Sequence, residues 1–221
     1  CIKKNYPIVP GVSNPSDIEA AMSLGLDAVK FFPAEAAGGL KMIKAMSAPY
    51  VNMQFMPTGG INESNLTEYL DFNKVIACGG SWMVDSNMLD SGNFEGIKKL
   101  TQNAVNKMLG FKLAHIGINS RDEASALATA QLFQRSFGYA ENSGDSSIFM
   151  GSEIEIMKHM GRGKTGHIAL KTNYIKRAMR YLGSNGIMCD EQSRVYDEKG
   201  NLKLIYLAAD FGGFSVHLSQ K

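Results

Sequence analysis

Lys30 is the residue whose type and place ask first for a chemical reading. It sits in Leu26-Asp27-Ala28-Val29-Lys30-Phe31-Phe32-Pro33, an otherwise apolar run. Lysine is seldom buried without a reason. Desolvation disfavours its charged form, and the neutral amine that results attacks carbonyl carbon. A lysine at a strand end, with its head snorkelling to solvent, is the plain alternative. Downstream, Pro57-Thr58-Gly59-Gly60-Ile61 and Cys78-Gly79-Gly80-Ser81-Trp82 each close an apolar run on a glycine pair. Glycine at a strand end lets backbone N–H groups approach an anion, helped by a following helix N-terminus. Either pair alone reads as a tight turn. Two of them, on consecutive units after a strand lysine, form a constellation of amine nucleophile and anion site.

A second set lies further on. His115-Ile116-Gly117-Ile118-Asn119 is echoed by His167-Ile168-Ala169-Leu170-Lys171. Glu155 and His217 fall on the last strand expected in each repeat. Imidazoles with one carboxylate suit Zn, Ni, Fe or Mn. A lone strand histidine is more often a packed or surface residue, but four side chains at repeat-related positions can converge. His159 has no partner in the repeat and reads as a loop residue.

These residues need elements to position them. Residues 1–109 alternate apolar runs with amphipathic segments. Strands are expected over Pro7–Val12, Ala28–Pro33, Asn52–Pro57 and Val75–Gly79, with helices over Ser16–Leu24, Gly39–Met46, Glu63–Leu70 and Phe94–Leu109. Near-continuous apolar runs suit parallel strands buried on both faces. Four βα units make half of a (β/α)8 barrel, or a small doubly wound sheet. After Gly110 the pattern changes to a tandem βαβββ duplication over 111–221. Its strands are expected at Leu113–Asn119, Ser147–Met150, Glu153–Lys158, His167–Lys171, Val195-Tyr196, Leu202–Ala208 and Gly213–Leu218. Its helices are expected at Asp122–Phe137 and Tyr174–Leu182, and Asp197–Gly200 reads as a hairpin turn.

The first module resembles the bacterial 2-keto-3-deoxy-6-phosphogluconate / 4-hydroxy-2-oxoglutarate aldolases. The resemblance is carried by Val9-Pro10-Gly11-Val12, Val29-Lys30-Phe31-Phe32-Pro33-Ala34-Glu35, Gly38-Gly39, Pro57-Thr58-Gly59-Gly60-Ile61 and Gly79-Gly80-Ser81-Trp82. It implies strands five to eight of a (β/α)8 TIM barrel and a homotrimer. It also implies cleavage of a 2-keto acid to pyruvate and an aldehyde through a lysine imine, with no cofactor. On it, Lys30 falls on the imine lysine, and Thr58 on a residue touching the pyruvate moiety. Gly59, Gly60, Gly79, Gly80 and Ser81 fall on the phosphate site. The family's carboxylate acid/base and carboxylate-clamping arginine come from earlier strands, and no arginine precedes Arg121. Glu35 matches a different family position and is not taken as the base.

The second module resembles the vicinal oxygen chelate superfamily in its glyoxalase-like form. Ala114-His115-Ile116-Gly117-Ile118, Ile154-Glu155-Ile156, Gly166-His167-Ile168-Ala169-Leu170 and Asp210–Leu218 carry the likeness. It implies a divalent metal held by His115, Glu155, His167 and His217. His217 stands where a glutamate is usual, which puts glyoxalase chemistry in question. A metal-dependent lyase, isomerase or dioxygenase and a non-catalytic binding or oligomerisation module both remain open for this half.

Composition sets the outer bounds. Of 221 residues, 44% are hydrophobic and 20% charged, a globular balance. Net charge is +2, which gives no reason to expect a nucleic-acid partner. All six arginines and all four histidines lie beyond residue 114, which points to two modules of different origin. Three widely spaced cysteines suggest a reducing cytoplasm. No run approaches a membrane span, and no signal peptide is visible. The chain begins with Cys just before a strand, so a natural N-terminus upstream and a poorly active aldolase fragment are expected.

Overall fold

The apolar runs at the head of the chain become short parallel strands with helices between them. In the computed structural model, which describes residues 1–221, the chain divides into two units, Cys1–Met108 and Leu109–Lys221. The first contains β1 (Gly11–Val12), α1 (Pro15–Ser23), β2 (Ala28–Phe31), α2 (Gly39–Ser47), β3 (Gln54–Phe55) and α3 (Leu66–Leu70). A 3-10 turn at Ser81–Met83, α4 (Ser86–Asp90) and α5 (Phe94–Leu109) follow. The strands run in the order β1-β2-β3, all parallel, with Gly11 opposite Lys30 and Val29 opposite Phe55. Val29, Phe31 and Phe55 are fully buried, together with Ile18 of α1 and Ile43 of α2. Each such side chain contributes about 1.5–3 kcal/mol of burial.

All four expected strands of this unit come out shorter, with Ala28–Pro33 reduced to Ala28–Phe31 and Asn52–Pro57 to Gln54–Phe55. The first shrinks to Gly11–Val12, because Pro7 and Pro10 have no N–H to give to a ladder. The run Val75–Gly79 makes only single bridges, Phe55 to Val75 and Thr58 to Gly79. It lies at the edge, with β3 on one side only, and Ile76 is 41% exposed. The start of α1 follows local rules: Asn14 caps it by accepting from the Asp17 N–H, and Pro15 occupies its first turn. The short α4, capped by Asp85, is an addition to the sequence reading.

The second unit contains β4 (Lys112–Ile118), α6 (Glu123–Phe137), β5 (Glu141–Ser143), β6 (Ser147–Met150) and β7 (Ile154–Met157). The pattern then repeats as β8 (Gly166–Thr172), α7 (Ile175–Ser184), β9 (Val195–Tyr196), β10 (Leu202–Phe211) and β11 (Phe214–Gln220). One eight-stranded sheet results, ordered β5-β6-β7-β4-β8-β11-β10-β9. That order is symmetric about the antiparallel β4/β8 pair, with β7 parallel to β4 on one side and β11 parallel to β8 on the other. The first repeat closes its core with Ala126 and Ala130 of α6 against Ile148, Met150 and Ile156. The small alanines let the helix approach the sheet closely. Asp122 caps α6 through the Ser125 N–H, and Gly138 ends it in the left-handed region at φ 70°. The edge strand β5 was not foreseen, because its residues Glu141, Asn142 and Ser143 are polar and exposed. No helix is long and apolar enough to cross a membrane.

Candidate functional sites

In the first unit the chemistry-bearing residues gather at the C-terminal ends of parallel strands. Lys30 is the third residue of β2 and is half-buried, between the fully buried Val29 and Phe31. Its backbone N–H donates to Pro10 O, and its Nζ stands 5.1 Å from the Phe32 ring centroid. Thr58 follows β3. Its N–H donates to Phe31 O, and its own carbonyl accepts from Ala34. The Thr58 Oγ1 is buried without a hydrogen-bond partner. Such a hydroxyl costs stability unless a ligand completes it. A Cβ on Gly79 would lie 2.6 Å from that oxygen, so glycine is what lets the two strand ends meet.

The Gly59-Gly60 turn has both residues at positive φ, 97° and 81°. The Gly60 carbonyl is pinned by the amides of Asn62 (3.2 Å) and Asn65 (3.1 Å). None of the hydrogen bonds of this region uses the N–H of Gly59, Gly60 or Gly80. Trp82 packs over Gly80, and Ser81 is exposed at the start of the 3-10 turn.

The sheet of the second unit brings its four expected residues together in two adjacent rows. In one row Glu155, Gly117 and His167 lie side by side on β7, β4 and β8. In the next row His115, Ala169, His217 and Tyr206 lie side by side on β4, β8, β11 and β10. Residues two apart on a strand share a face, so all four long polar side chains rise from the same side. Gly117 and Ala169 leave them room. A Cβ on Gly117 would collide with the His167 ring.

The His115 and His167 Nε2 atoms are 3.1 Å apart, and Glu155 Oε2 is 3.1 Å from the first and 3.0 Å from the second. One donor atom from each of His115, His167 and His217 lies within 4.8 Å of the others. Ligands about 2.0–2.2 Å from a common ion stand roughly 3 Å apart, so this spacing fits a transition metal. The Nδ1 of His217 is buried without a hydrogen-bond partner.

Electrostatics agree with a closed polar cluster. Burial pushes the Glu155 carboxyl up, but hydrogen bonds from His115, His167 and Ser147 outweigh it and hold the group well below the usual carboxylate range. The Ser147 Oγ donates to Glu155 Oε1 at 2.7 Å. Burial, then the nearby His167 and His115, push His217 down to about 4. Around the cluster, Phe149 meets His115 edge-on and Tyr206 tilts against His217 at 5.0 Å. Arg162 stacks over Tyr206 at 4.7 Å and pairs with Asp190. An open cleft of about 590 Å³ lies along Arg162, Cys189, Asp190, Asp210 and Ser215, beside the His217 strand.

Sequence reasoning missed Ser147, Phe149, Tyr206 and the two small residues. One signal was present: each repeat places a small residue two positions after its histidine. His159 is exposed in the loop after β7.

Residues 1–100 match the model of the KDPG and KHG aldolase family. Among curated relatives, the 2-dehydro-3-deoxy-phosphogluconate aldolase of Haemophilus influenzae is 50% identical over 105 residues, 48% of this chain and 50% of that protein. The chain spans about half the length of the curated relatives it matches. Among solved structures, the KDPG aldolase of Legionella pneumophila, with pyruvate captured as a covalent carbinolamine, is 41% identical at a TM-score of 0.42. It covers 43% of this chain and 47% of its own. The methylmalonyl-CoA epimerase of Mycobacterium tuberculosis covers 51% of this chain and 89% of its own, at 15% identity and a TM-score of 0.36.

Proposed function

We propose that the first unit supplies the imine lysine and phosphate cradle of a class I aldolase. The intact protein would cleave 2-keto-3-deoxy-6-phosphogluconate or 4-hydroxy-2-oxoglutarate to pyruvate and an aldehyde. The observation that carries this reading is the family match over residues 1–100, with Lys30, Thr58 and both glycine pairs at the C-terminal ends of parallel strands. On this reading the unit is strands five to eight of a (β/α)8 barrel, and the intact enzyme is a cytoplasmic homotrimer. Lys30 Nζ adds to the C2 carbonyl and water leaves, giving an iminium. Its positive charge then accepts the electrons of the breaking C3–C4 bond. Thr58 Oγ1 gains a partner in the substrate's carboxylate or keto oxygen. Gly59, Gly60, Gly80 and Ser81 present N–H groups to the phosphate, Gly79, whose own N–H donates to Pro57 O, lets the strand ends close up around it, and no cofactor takes part. Residues 1–120 hold no arginine, so the unit has no guanidinium to clamp the substrate carboxylate, and turnover by this chain alone is poor. Borohydride with pyruvate should trap a covalent adduct on the chain. If Lys30→Ala still trapped pyruvate, the nucleophile would be misassigned.

For the second unit, His115, His167 and His217, each offering a nitrogen within 4.8 Å of the others, with Glu155 against the first two, favour a divalent metal site, with Zn, Ni, Fe or Mn as candidate ions. When bound, such an ion acts as a Lewis acid toward oxygens of a small substrate. Ser147 orients Glu155, and Gly117 keeps space for the His167 ring. Metal analysis after reconstitution decides between this reading and a non-catalytic binding or oligomerisation module. A chain that holds no stoichiometric metal belongs to the latter.

A further inference from the structure

Glu35 is an exposed residue whose stem lies against a turn whose proposed ligand is an anion. Its N–H donates to Gly59 O at 3.0 Å. Its aliphatic stem lies against Gly60 so closely that a Cβ there would come 2.5 Å from both Glu35 Cβ and Cγ. Its Oε1 accepts a hydrogen bond from the hydroxyl of Tyr69 on α3, a side chain only 1% exposed. The same oxygen sits over Gly39, the first residue of α2, where a Cβ would lie 3.2 Å from it and 3.1 Å from the tyrosine hydroxyl. A negative charge at a helix N-terminus is favourably placed. Burial, with the adjacent Glu35 carboxylate adding to it, holds the Tyr69 hydroxyl far above its ordinary range, so it remains a donor.

We propose that Glu35 is a positioning residue for the Gly59-Gly60 turn, with Tyr69 as its anchor. The stem of Glu35 shapes the turn. The Tyr69 bond keeps its carboxylate on the α2 side, away from the anion that the turn receives. One amino acid thereby ties the exit of the Lys30 strand to the phosphate cradle and decides how well phosphorylated substrates are held. This rests on the reading of that turn as a phosphate site.

The test uses the full chain, with inorganic phosphate affinity by calorimetry and pyruvate–borohydride trapping as separate readouts. Glu35→Ala loosens the turn and should weaken phosphate about tenfold while leaving pyruvate trapping nearly unchanged. Tyr69→Phe frees the carboxylate toward the turn and should weaken phosphate about fivefold, more at low salt. Glu35→Gln keeps the stem and the bond to Tyr69, so it should bind phosphate at least as well as the parent. In the Tyr69→Phe background, Glu35→Gln should restore most of the loss.

The proposal is overturned if Glu35→Ala binds phosphate normally, or if trapping falls in proportion to phosphate affinity. It is also overturned if the double variant shows no rescue. A parent chain that traps pyruvate but binds no phosphate removes the cradle and this proposal with it, leaving the imine reading intact. The expected phosphate hierarchy without any trapping supports the proposal and removes the imine reading instead.

Discussion

At the scale of single residues, His217 is held away from its solution behaviour in a testable direction. Burial and two neighbouring imidazoles hold its pKa at about 4. A folded-state value below the unfolded one means that this residue's contribution is complete above about pH 6.5 and is lost as pH falls toward 4. In metal-free protein that loss should reach about 3 kcal/mol. Urea unfolding between pH 7 and 4 checks it: His217→Gln should flatten the decline. Glu155, held low by its three partners, acts in a separate window, since its contribution drains only below the ordinary carboxylate range. An equally steep decline in His217→Gln would mean that His217 does not titrate as its surroundings require. Type and spacing singled out Lys30, both glycine pairs and the four cluster residues, and the family resemblance added Thr58. The tasks of Glu35 and Tyr69 were not legible, because a carboxylate and a phenol 34 residues apart carry no periodic signal.

At the scale of elements, the rows of the eight-stranded sheet set the geometry. The small residues Gly117 and Ala169 stand between larger polar ones, and the sheet aligns them by register alone. Gly117→Ala should push the His167 ring aside, lower metal affinity about tenfold and destabilise the unit by about 1–3 kcal/mol. Gly138→Ala is the control. At φ 70° it ends α6 far from the cluster in sequence, and it should cost about 1 kcal/mol with metal affinity unchanged. Metal titration with thermal melts separates the two, and equal loss of affinity in both would reduce the register argument to general destabilisation. Helices with polar caps were placed within a few residues from sequence, as at Asn14 and Asp122. Strand ends were less legible. Prolines cut β1 short, and Val75–Gly79, apolar enough for a strand, pairs with its neighbours at single points only.

At the scale of the whole molecule, each site draws its residues from one unit. Lys30→Ala should therefore abolish pyruvate trapping and leave metal-linked stabilisation intact, about 2.7 kcal/mol at a metal concentration 100 times Kd. His167→Ala should do the reverse. Trapping lost in both variants would show that the two activities depend on each other.

What the sequence determined by itself was local and periodic: the apolar strand around Lys30, the glycine pairs, the capped helices and the repeated histidine segments. Those follow from dihedral preferences and the burial of alternating or continuous apolar runs, which are encoded over a few residues. Tertiary structure alone decided which groups meet. Pairing between strands tens of residues apart put Glu155 and His217 in rows neighbouring His115 and His167. It also set the Thr58 hydroxyl unpartnered beside Gly79 and held Glu35 between Gly60 and Tyr69. No short window of sequence contains those distances, because they are fixed by the register of parallel strands and the closeness that glycine permits.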